Sequence, residues 1–442
     1  MIHYVKITNF GPVKDEVEIN FEVAEQVDED AYEVTMPDGR KLLKLAYIYG
    51  ANASGKTTVL KAFEFLRKLL LQPIVSKSAT LDFEPFLFQE APYEQPSRFE
   101  LSFYAEGTRY IYEISFTKQA VISEKIVAYW SAKPTEIFSR STDMGKRLAS
   151  IEFGSKIKVP VRERDLLESN TLHNNTVIGA YAKTNVDIPE LEKLDKWFNV
   201  FLLGMISSAH DLTETTATLI DQNPMITRWI NTFLNKADYQ IVAVNVSDSN
   251  DQIGVPLDDA FPNFGNRFSN EGRVKVTQSN AGTYPFYGGP SQRRIDFIHQ
   301  TSDQQFYPLS ILAESSGTKR YFGLGGPLHE LIHGARLLCI DELETSLHPD
   351  LMKHFLQVFL LNAKSSQLLV TTHNISLLEN QDFIRRDALW FSEKKDNGAI
   401  SLYSAADFDS ATLRKDASII NAYRSGKLGA KPNLGSPYLR DE

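Results

Sequence analysis

Residues 47–63 read YIYGANASGKTTVLKAF, and the reading of this stretch decides the fold. A short apolar run is followed by Gly50, then Ala51, Asn52, Ala53 and Ser54, then Gly55, Lys56 and Thr57. This is the spacing G-x-x-x-x-G-K-[ST], set between a strand pattern and a helix pattern, which is the context of a phosphate loop. Gly50 and Gly55 permit backbone conformations closed to other residues, so the N–H groups through Asn52, Ala53 and Ser54 can turn inward. The start of the helix adds about half a positive charge. Lys56 is placed to reach the β- and γ-phosphates of a nucleotide, and Thr57 to offer a hydroxyl to Mg²⁺. Thr58 closes the candidate nucleotide-binding set.

Outward from the loop, the chain has the bulk character of an ordinary globular protein. Its 442 residues are too many for one simple core, so two lobes are expected. With 42% hydrophobic and 23% charged residues it has a soluble composition. The net charge of −9 gives no uniform electrostatic footprint for nucleic acid. The single cysteine, Cys339, excludes an intramolecular disulfide framework and a cysteine-built zinc site, and it fits a reducing cytosol. The opening MIHYVKITNFG lacks the basic flank and apolar core of a targeting segment. The most apolar run, WFNVFLLGMISSA (197–209), is shorter than the roughly 20 residues a membrane span needs and is expected as a buried helix.

The periodicities organise the rest. IHYVKITNF and VEINFEV alternate as strands around a Gly-Pro turn, and KLLKLAYIYG reads as a third strand buried on both faces. GKTTVLKAFEFLRKLLL has helical spacing. After a Pro-rich loop come three antiparallel strands, RFELSFYAEG, TRYIYEISFTKQ and AVISEKIVAYW, the first two joined at AEGTR. Residues 187–240 read as helices and 245–290 as long loops. From 291 onward, RRIDFIHQ and QFYPLSILA read as strands, and a helix after ESSGT is expected to break at GLGGP. The alternation of ARLLCIDE, LHPDLMKHFLQVFLLNA, SQLLVTTHN and DALWFSEK then predicts a parallel α/β sheet. The domains expected are an N-terminal lobe at 1–130, a helical and loop insertion at 131–290, and a C-terminal lobe at 291–442.

RLLCIDELETSLHPDL (336–351) carries a second signal. Four apolar residues end in Asp341 and Glu342, and ligands of parallel sheets bind at the carboxyl ends of strands. Asp341 is placed to hold Mg²⁺, directly or through water. Glu342 is placed to polarise a water against a γ-phosphate. A carboxylate at a strand end is more often merely solvated; the phosphate loop in the same chain is what favours function. LVTTHN (369–374) repeats the pattern, bringing His373 to the same edge with the capacity to bond a γ-phosphate oxygen. LAESSGTKR (312–320) offers the hydroxyls of Ser315 and Ser316 and a close N–H at Gly317, with a helix behind them. The plain alternative for this stretch is an ordinary helix N-cap.

In this order, GANASGKT, ESSGT, LLCIDE, TSLHPDL and TTHN resemble an ABC-type ATPase head. The resemblance is to the chromosome-maintenance and DNA-repair heads and the bacterial ATPases grouped with them. VKITNFGPVKDEVEINF resembles their first hairpin. NAYRSGKLGAKP resembles the tail of a stand-alone AAA/ABC-like subgroup found in phage-defence operons. The resemblance covers roughly 1–130 and 290–435. It implies an α/β phosphate-loop ABC-type head with split lobes, an antiparallel N-terminal part, a parallel core and a mainly helical insertion. It implies ATP and Mg²⁺ as cofactors and hydrolysis of ATP to ADP and phosphate. In such families a second head caps the γ-phosphate, so Ser315, Ser316 and Gly317 would act in trans in a homodimer or higher even oligomer. The departure from the Leu-Ser-Gly-Gly-Gln of transporters suits the non-transporter subgroup. Gln89 is the candidate for the Mg²⁺-sensing glutamine, with Gln72 as the alternative. His348, in the loop between heads, reads equally as structural or functional.

The subgroup further implies a cytoplasmic sensor ATPase of an anti-phage defence system. It would control an effector encoded nearby, such as a Toprim-type nuclease, without a membrane. The alternative is a repair or chromosome-maintenance ATPase acting directly on DNA. NKAD (235–238) and DQIG (251–254) match GTPase patterns, but the first follows a helical stretch and their order is reversed, so ATP is expected. After residue 380 there is no second strand-end acidic pair, so no nuclease site of its own is expected.

Overall fold

The computed structural model describes residues 1–24, 31–238, 240–248, 293–379, 384–409 and 418–431. These form two compact units. The first comprises Met1–Ile206, Gly334–Leu343 and Ala363–Glu442; the second comprises Ser207–His333 and Glu344–Asn362. The boundaries differ from those expected at 130 and 290. The antiparallel sheet runs on past residue 130, and the region after 290 contributes to both units.

The first unit begins with β1 (Ile2–Thr8), β2 (Val17–Asn20), β3 (Glu33–Thr35), β4 (Lys41–Leu43) and β5 (Leu45–Tyr49). Helix α1 (Lys56–Leu71) follows the phosphate loop. Then come β6 (Ser97–Ala105), β7 (Thr108–Phe116), β8 (Val121–Tyr129), β9 (Thr135–Asp143) and β10 (Leu148–Phe153). Three helices complete this stretch, α2 (Val161–Asn170), α3 (Val177–Tyr181) and α4 (Pro189–Phe201).

Seven of these strands form an antiparallel sheet in the order β10-β9-β8-β7-β6-β1-β2. The β6–β7 hairpin closes at Glu106 and Gly107, both with positive φ, the conformation a tight two-residue turn demands. KLLKLAYIYG, expected as one strand, is two strands in two sheets. Lys44 marks the break: its ammonium is buried and donates to the Ala363 carbonyl at 2.8 Å.

The second unit contains α5 (Thr213–Gln222), α6 (Pro224–Ala237), β11 (Ile241–Asp248), β12 (Arg293–Gln300), β13 (Phe306–Ser310) and α7 (Ser316–His333). The strands form their own antiparallel sheet, β11-β12-β13, apart from the parallel one. Helix α7 does not break at GLGGP. Pro327 lies inside it, and a proline there leaves the carbonyl four residues earlier without its donor. Thr216 of α5 repairs the loss, donating from Oγ1 to the Gly323 carbonyl at 2.8 Å and accepting the Gly326 N–H at 3.2 Å. The glycines allow that approach: a Cβ on Gly326 would stand 2.7 Å from Thr216 Oγ1.

The chain returns to the first unit with β14 (Leu337–Ile340), passes through α8 (Pro349–Asn362) of the second, and ends in β15 (Gln367–Thr372), β16 (Leu389–Lys394), β17 (Ile400–Ser404) and α9 (Ile419–Arg424) of the first. Here lies the expected parallel sheet, in the order β14-β15-β5-β16-β17, with only β17 antiparallel. The apolar run at 197–209 is helical only as far as Phe201. Leu202 and Ile206 then bridge in parallel to Leu337 and Ile340, extending the sheet edge.

Helix α1 holds the two sheets of the first unit together. Phe65 packs on Phe116 and Phe99 of the antiparallel sheet, with ring centroids 5.0 and 5.9 Å apart. The helix also lies against β14 and β15. Its buried apolar residues, from Val59 to Leu70, accordingly spread over more than half of its circumference, and the exposed Lys61 and Lys68 share the stripe that remains. The tail NAYRSGKLGAKP packs as well: Tyr423 stacks on Phe391 of β16, and the Leu428 carbonyl accepts from the Tyr403 hydroxyl.

Candidate nucleotide site

The parallel sheet aligns three strand ends. Thr372 of β15 is in register with Tyr49 of β5, and Ile340 of β14 with Val370 of β15. Gly50, Asp341 and His373 therefore leave one sheet at one edge, where parallel sheets bind their ligands.

The loop from Gly50 to Gly55 is closely constrained. A Cβ on Gly50 would lie 2.4 Å from both the Ser392 carbonyl and Ser54 Oγ. Gly55 has φ +94°, and a Cβ there would strike Ile400 at 2.7 Å. Ala53 also adopts positive φ, and it is exposed together with Asn52. Ser54 is buried, and its Oγ has no hydrogen-bond partner among the described residues. Its carbonyl accepts from Ser392 Oγ at 2.6 Å, which fastens the loop to β16. Gly55 sits at the N-cap of α1 with no side-chain cap, so the first N–H groups of the helix have no side-chain acceptor. Lys56 is 8% exposed, and its ammonium donates to the carbonyls of Gly50 and Ala51 at 2.8 and 2.9 Å.

Asn52 to Thr58, Pro12 and Glu342 line a cavity of about 270 Å³. Beside it, Thr57 Oγ1 donates to Asp341 Oδ1 at 3.1 Å, and Thr371 Oγ1 donates to the same oxygen at 2.6 Å. The structure thus brings together the phosphate loop, Thr57, Asp341 and Glu342, although Asp341 is distant from the loop in sequence. His373 is exposed at the same sheet edge but lies outside the cavity lining. Gln89 also lies outside the lining; its amide donates to Asn9 Oδ1 at 2.9 Å. Gln72 is the C-cap of α1, at the far end of the helix from the loop.

In the second unit, Ser315 caps α7. Its Oγ accepts the Thr318 N–H at 3.0 Å and lies 2.9 Å from the Thr318 hydroxyl. Ser316 is exposed, and its hydroxyl bonds none of the described residues. Gly317 passes close to the Ser346 carbonyl, which a Cβ would meet at 3.0 Å. His348 accepts the Asp350 N–H at the start of α8, so its observed role is local. NKAD lies at the end of α6 rather than after a strand; DQIG and most of the expected loop region lie outside the described residues.

Two contributors escaped the sequence reading. Thr371 had a signal: a hydroxyl inside an apolar buried strand needs a partner. Ser392 had none, since its partner is a carbonyl more than 300 residues away.

A cavity of about 1120 Å³, larger than the one beside the loop, lies elsewhere in the first unit, around Arg40, Lys41 and Arg109. Arg40 pairs with Asp38 at 3.1 Å and Lys41 with Glu33 at 2.9 Å, so much of its charge is compensated within the protein. Size alone does not mark the site; the convergence of loop, hydroxyl and acid does.

A glycine-constrained loop between a central parallel strand and a helix, with a hydroxyl–carboxylate pair beside it, defines a phosphate-loop nucleotide-binding protein. Residues 45–379 match the family described as "AAA domain, putative AbiEii toxin, Type IV TA system", and the chain belongs to that family. Among solved structures, an SMC head bound to the C-terminal winged-helix domain of ScpA is similar at 11% identity. The match covers 91% of this chain and 97% of that one, with a TM-score of 0.44. The SMC head domain from Thermotoga maritima is similar at 12% identity, over 91% and 98% of the two chains, with a TM-score of 0.39. No curated protein matches the chain.

Proposed function

We propose that the protein binds and hydrolyses ATP at this site, in an assembly where two copies face each other. The observation that carries the reading is the pairing of Thr57 with Asp341 at 3.1 Å beside a cavity lined by the phosphate loop and Glu342. The donors fit Mg²⁺, a hard cation that prefers oxygen. Among the described residues no group of three or more His, Cys, Asp or Glu could hold a metal. A hydroxyl and a single carboxylate suit a cation held largely by phosphate oxygens and water. Thr57 and Asp341 would hold the ion, which would supply charge neutralisation on the triphosphate.

Each residue then has a task. The N–H groups of 52–58 cradle the phosphates, and Lys56 turns from the loop carbonyls to the γ-phosphate. Glu342 accepts a proton from the attacking water as the bond from the γ-phosphorus to the bridging oxygen breaks, giving ADP and phosphate. His373 bonds a γ-phosphate oxygen, and Gln89 would have to leave Asn9 to sense the ion. Ser316 and Gly317 of a second copy close on the γ-phosphate; the exposure of Ser316 at the start of α7 supports this role in trans.

Glu342→Gln should keep ATP bound and accumulate paired copies. Sedimentation of that variant with and without Mg-ATP tests the reading, and a monomer under both conditions overturns the paired arrangement. The biological role we infer is a sensor ATPase that restrains an effector in anti-phage defence, a Toprim-type nuclease being the effector class expected. The family description, with its toxin–antitoxin system, accords with a chain that works alongside a partner gene product. Among the described residues no helix is long and apolar enough to cross a membrane, and a cytoplasmic location is part of the proposal. Purifying the native complex tests the role: an effector that co-purifies supports it, and DNA as the sole companion favours direct action on DNA.

A further inference from the structure

We propose that Thr371 is the positioning residue of the acidic pair, one buried hydroxyl that orients both Asp341 and Glu342 for Mg²⁺-dependent handling of the triphosphate. The inference rests on the nucleotide reading given above.

Thr371 is fully buried one residue from the end of β15. Its Oγ1 lies 2.6 Å from Asp341 Oδ1 and 2.8 Å from the Glu342 nitrogen. Chemistry fixes both directions. An ionised carboxylate only accepts and a backbone N–H only donates, so the hydroxyl gives its one proton to Asp341 and receives Glu342 on a lone pair. The Thr371 carbonyl also accepts the Leu343 N–H at 3.1 Å. One residue thus grips three consecutive residues beyond β14.

The grip on Glu342 has a conformational purpose. Glu342 has φ +49°, in the left-handed region that residues with side chains rarely occupy. Such a conformation persists where its surroundings over-determine it. Here the bonds to Thr371 on either side of it do so, and they aim the Glu342 side chain at the cavity it lines.

The grip on Asp341 concerns the metal. Asp341 Oδ1 accepts from Thr57 as well as from Thr371. Thr57 is the hydroxyl expected to turn to the cation, and when it does, Thr371 still orients the carboxylate. A charge-assisted bond in a buried setting is strong enough for that work. Partners that orient a metal ligand are worth about 10–100-fold in metal affinity or activity when lost.

A threonine buried in a sheet can also serve as mere packing, and the substitutions separate the two. Thr371→Val keeps the shape and removes the hydroxyl; Thr371→Ser keeps the hydroxyl and removes a methyl group. The measurement is the affinity for ATP with and without Mg²⁺, followed by turnover. In Thr371→Val we expect the gain in affinity from Mg²⁺ to shrink, and turnover to fall, by about 10–100-fold, with metal-free binding unchanged. Thr371→Ser should match the wild type. Should Thr371→Val fail to fold, Thr371→Cys, with its weak donor, should show the same loss in milder form. The proposal is overturned if a folded variant lacking the hydroxyl responds to Mg²⁺ like the wild type. It is equally overturned if that variant loses affinity alike with and without Mg²⁺, or if Thr371→Ser is as impaired as Thr371→Val. A wild type indifferent to Mg²⁺ has a different meaning: the metal role of Asp341 falls first, and this proposal with it.

Discussion

Around the phosphate loop, side chains are buried and cross-braced: Asp341 is 6% exposed and accepts from two hydroxyls, and Ser392 holds the loop from a neighbouring strand. At residues 315–317 the arrangement is the reverse. Ser316 stands in solvent without a partner among the described residues, and Leu312 just before it is 86% exposed. Only Ser315 is engaged, and it serves its own helix. The contrast teaches that the first region is organised within one chain, while the second is a helix start whose outward groups have work only if something approaches them. A closed site can be preorganised by burial; a site completed by a partner must stay open until the partner comes.

The largest expected effect breaks the comparison at its stronger end. Lys56→Ala removes the one cation of the loop, and ATP turnover should fall at least about 100-fold, with weakened nucleotide binding. Turnover at the wild-type level would remove the loop from the chemistry altogether. Next comes the second unit's own scaffold. Thr216→Val leaves the Gly323 carbonyl and the Gly326 N–H without their partner, at a cost of about 1–3 kcal/mol in a urea unfolding curve. An unchanged midpoint would mean that α7 tolerates Pro327 unaided.

The sharpest test of the contrast sets two adjacent serines against each other. Ser315→Ala should cost about 1 kcal/mol of stability by loss of the cap. Ser316→Ala should leave the unfolding midpoint in place and lower turnover only under conditions where copies pair. If both serines behave as caps, the open segment has no role beyond its helix. The smallest effect is a reactivity. Burial pushes the Cys339 thiol well up, so thiol-directed reagents should leave the folded protein unlabelled and react once the first unit opens. Rapid labelling under native conditions would show that the strand carrying the acids is not closed.

Much of the site could be read before any fold was known. The phosphate loop demands glycines at particular positions, and a demand on local backbone shape must be written in contiguous residues. Asp341 and Glu342 were legible for a related reason: a run of four apolar residues ending in two acids is a buried strand delivering charge to an edge. Less legible was anything that depended on two distant segments meeting. The run at 41–49 reads as one strand, yet Lys44 divides it between two sheets, because its ammonium finds an acceptor at Ala363. The run at 197–209 reads as one helix, yet its second half joins a sheet edge. GLGGP reads as a break, yet α7 continues, because Thr216 supplies the Gly323 carbonyl with the hydrogen bond that the proline withdraws.

By itself, then, the sequence determined the chemistry that is local: a loop with the glycine spacing of a phosphate cradle, acids at the end of a strand, and a serine able to start a helix. The tertiary structure alone decided what holds those groups in place. Thr371 reaches Asp341 and Glu342, and Ser392 reaches Ser54, only because parallel strands settled into one register. The physical reason is that backbone preferences are spent within a few neighbouring residues. A side-chain hydrogen bond across a sheet exists only once every strand between its ends has found its place.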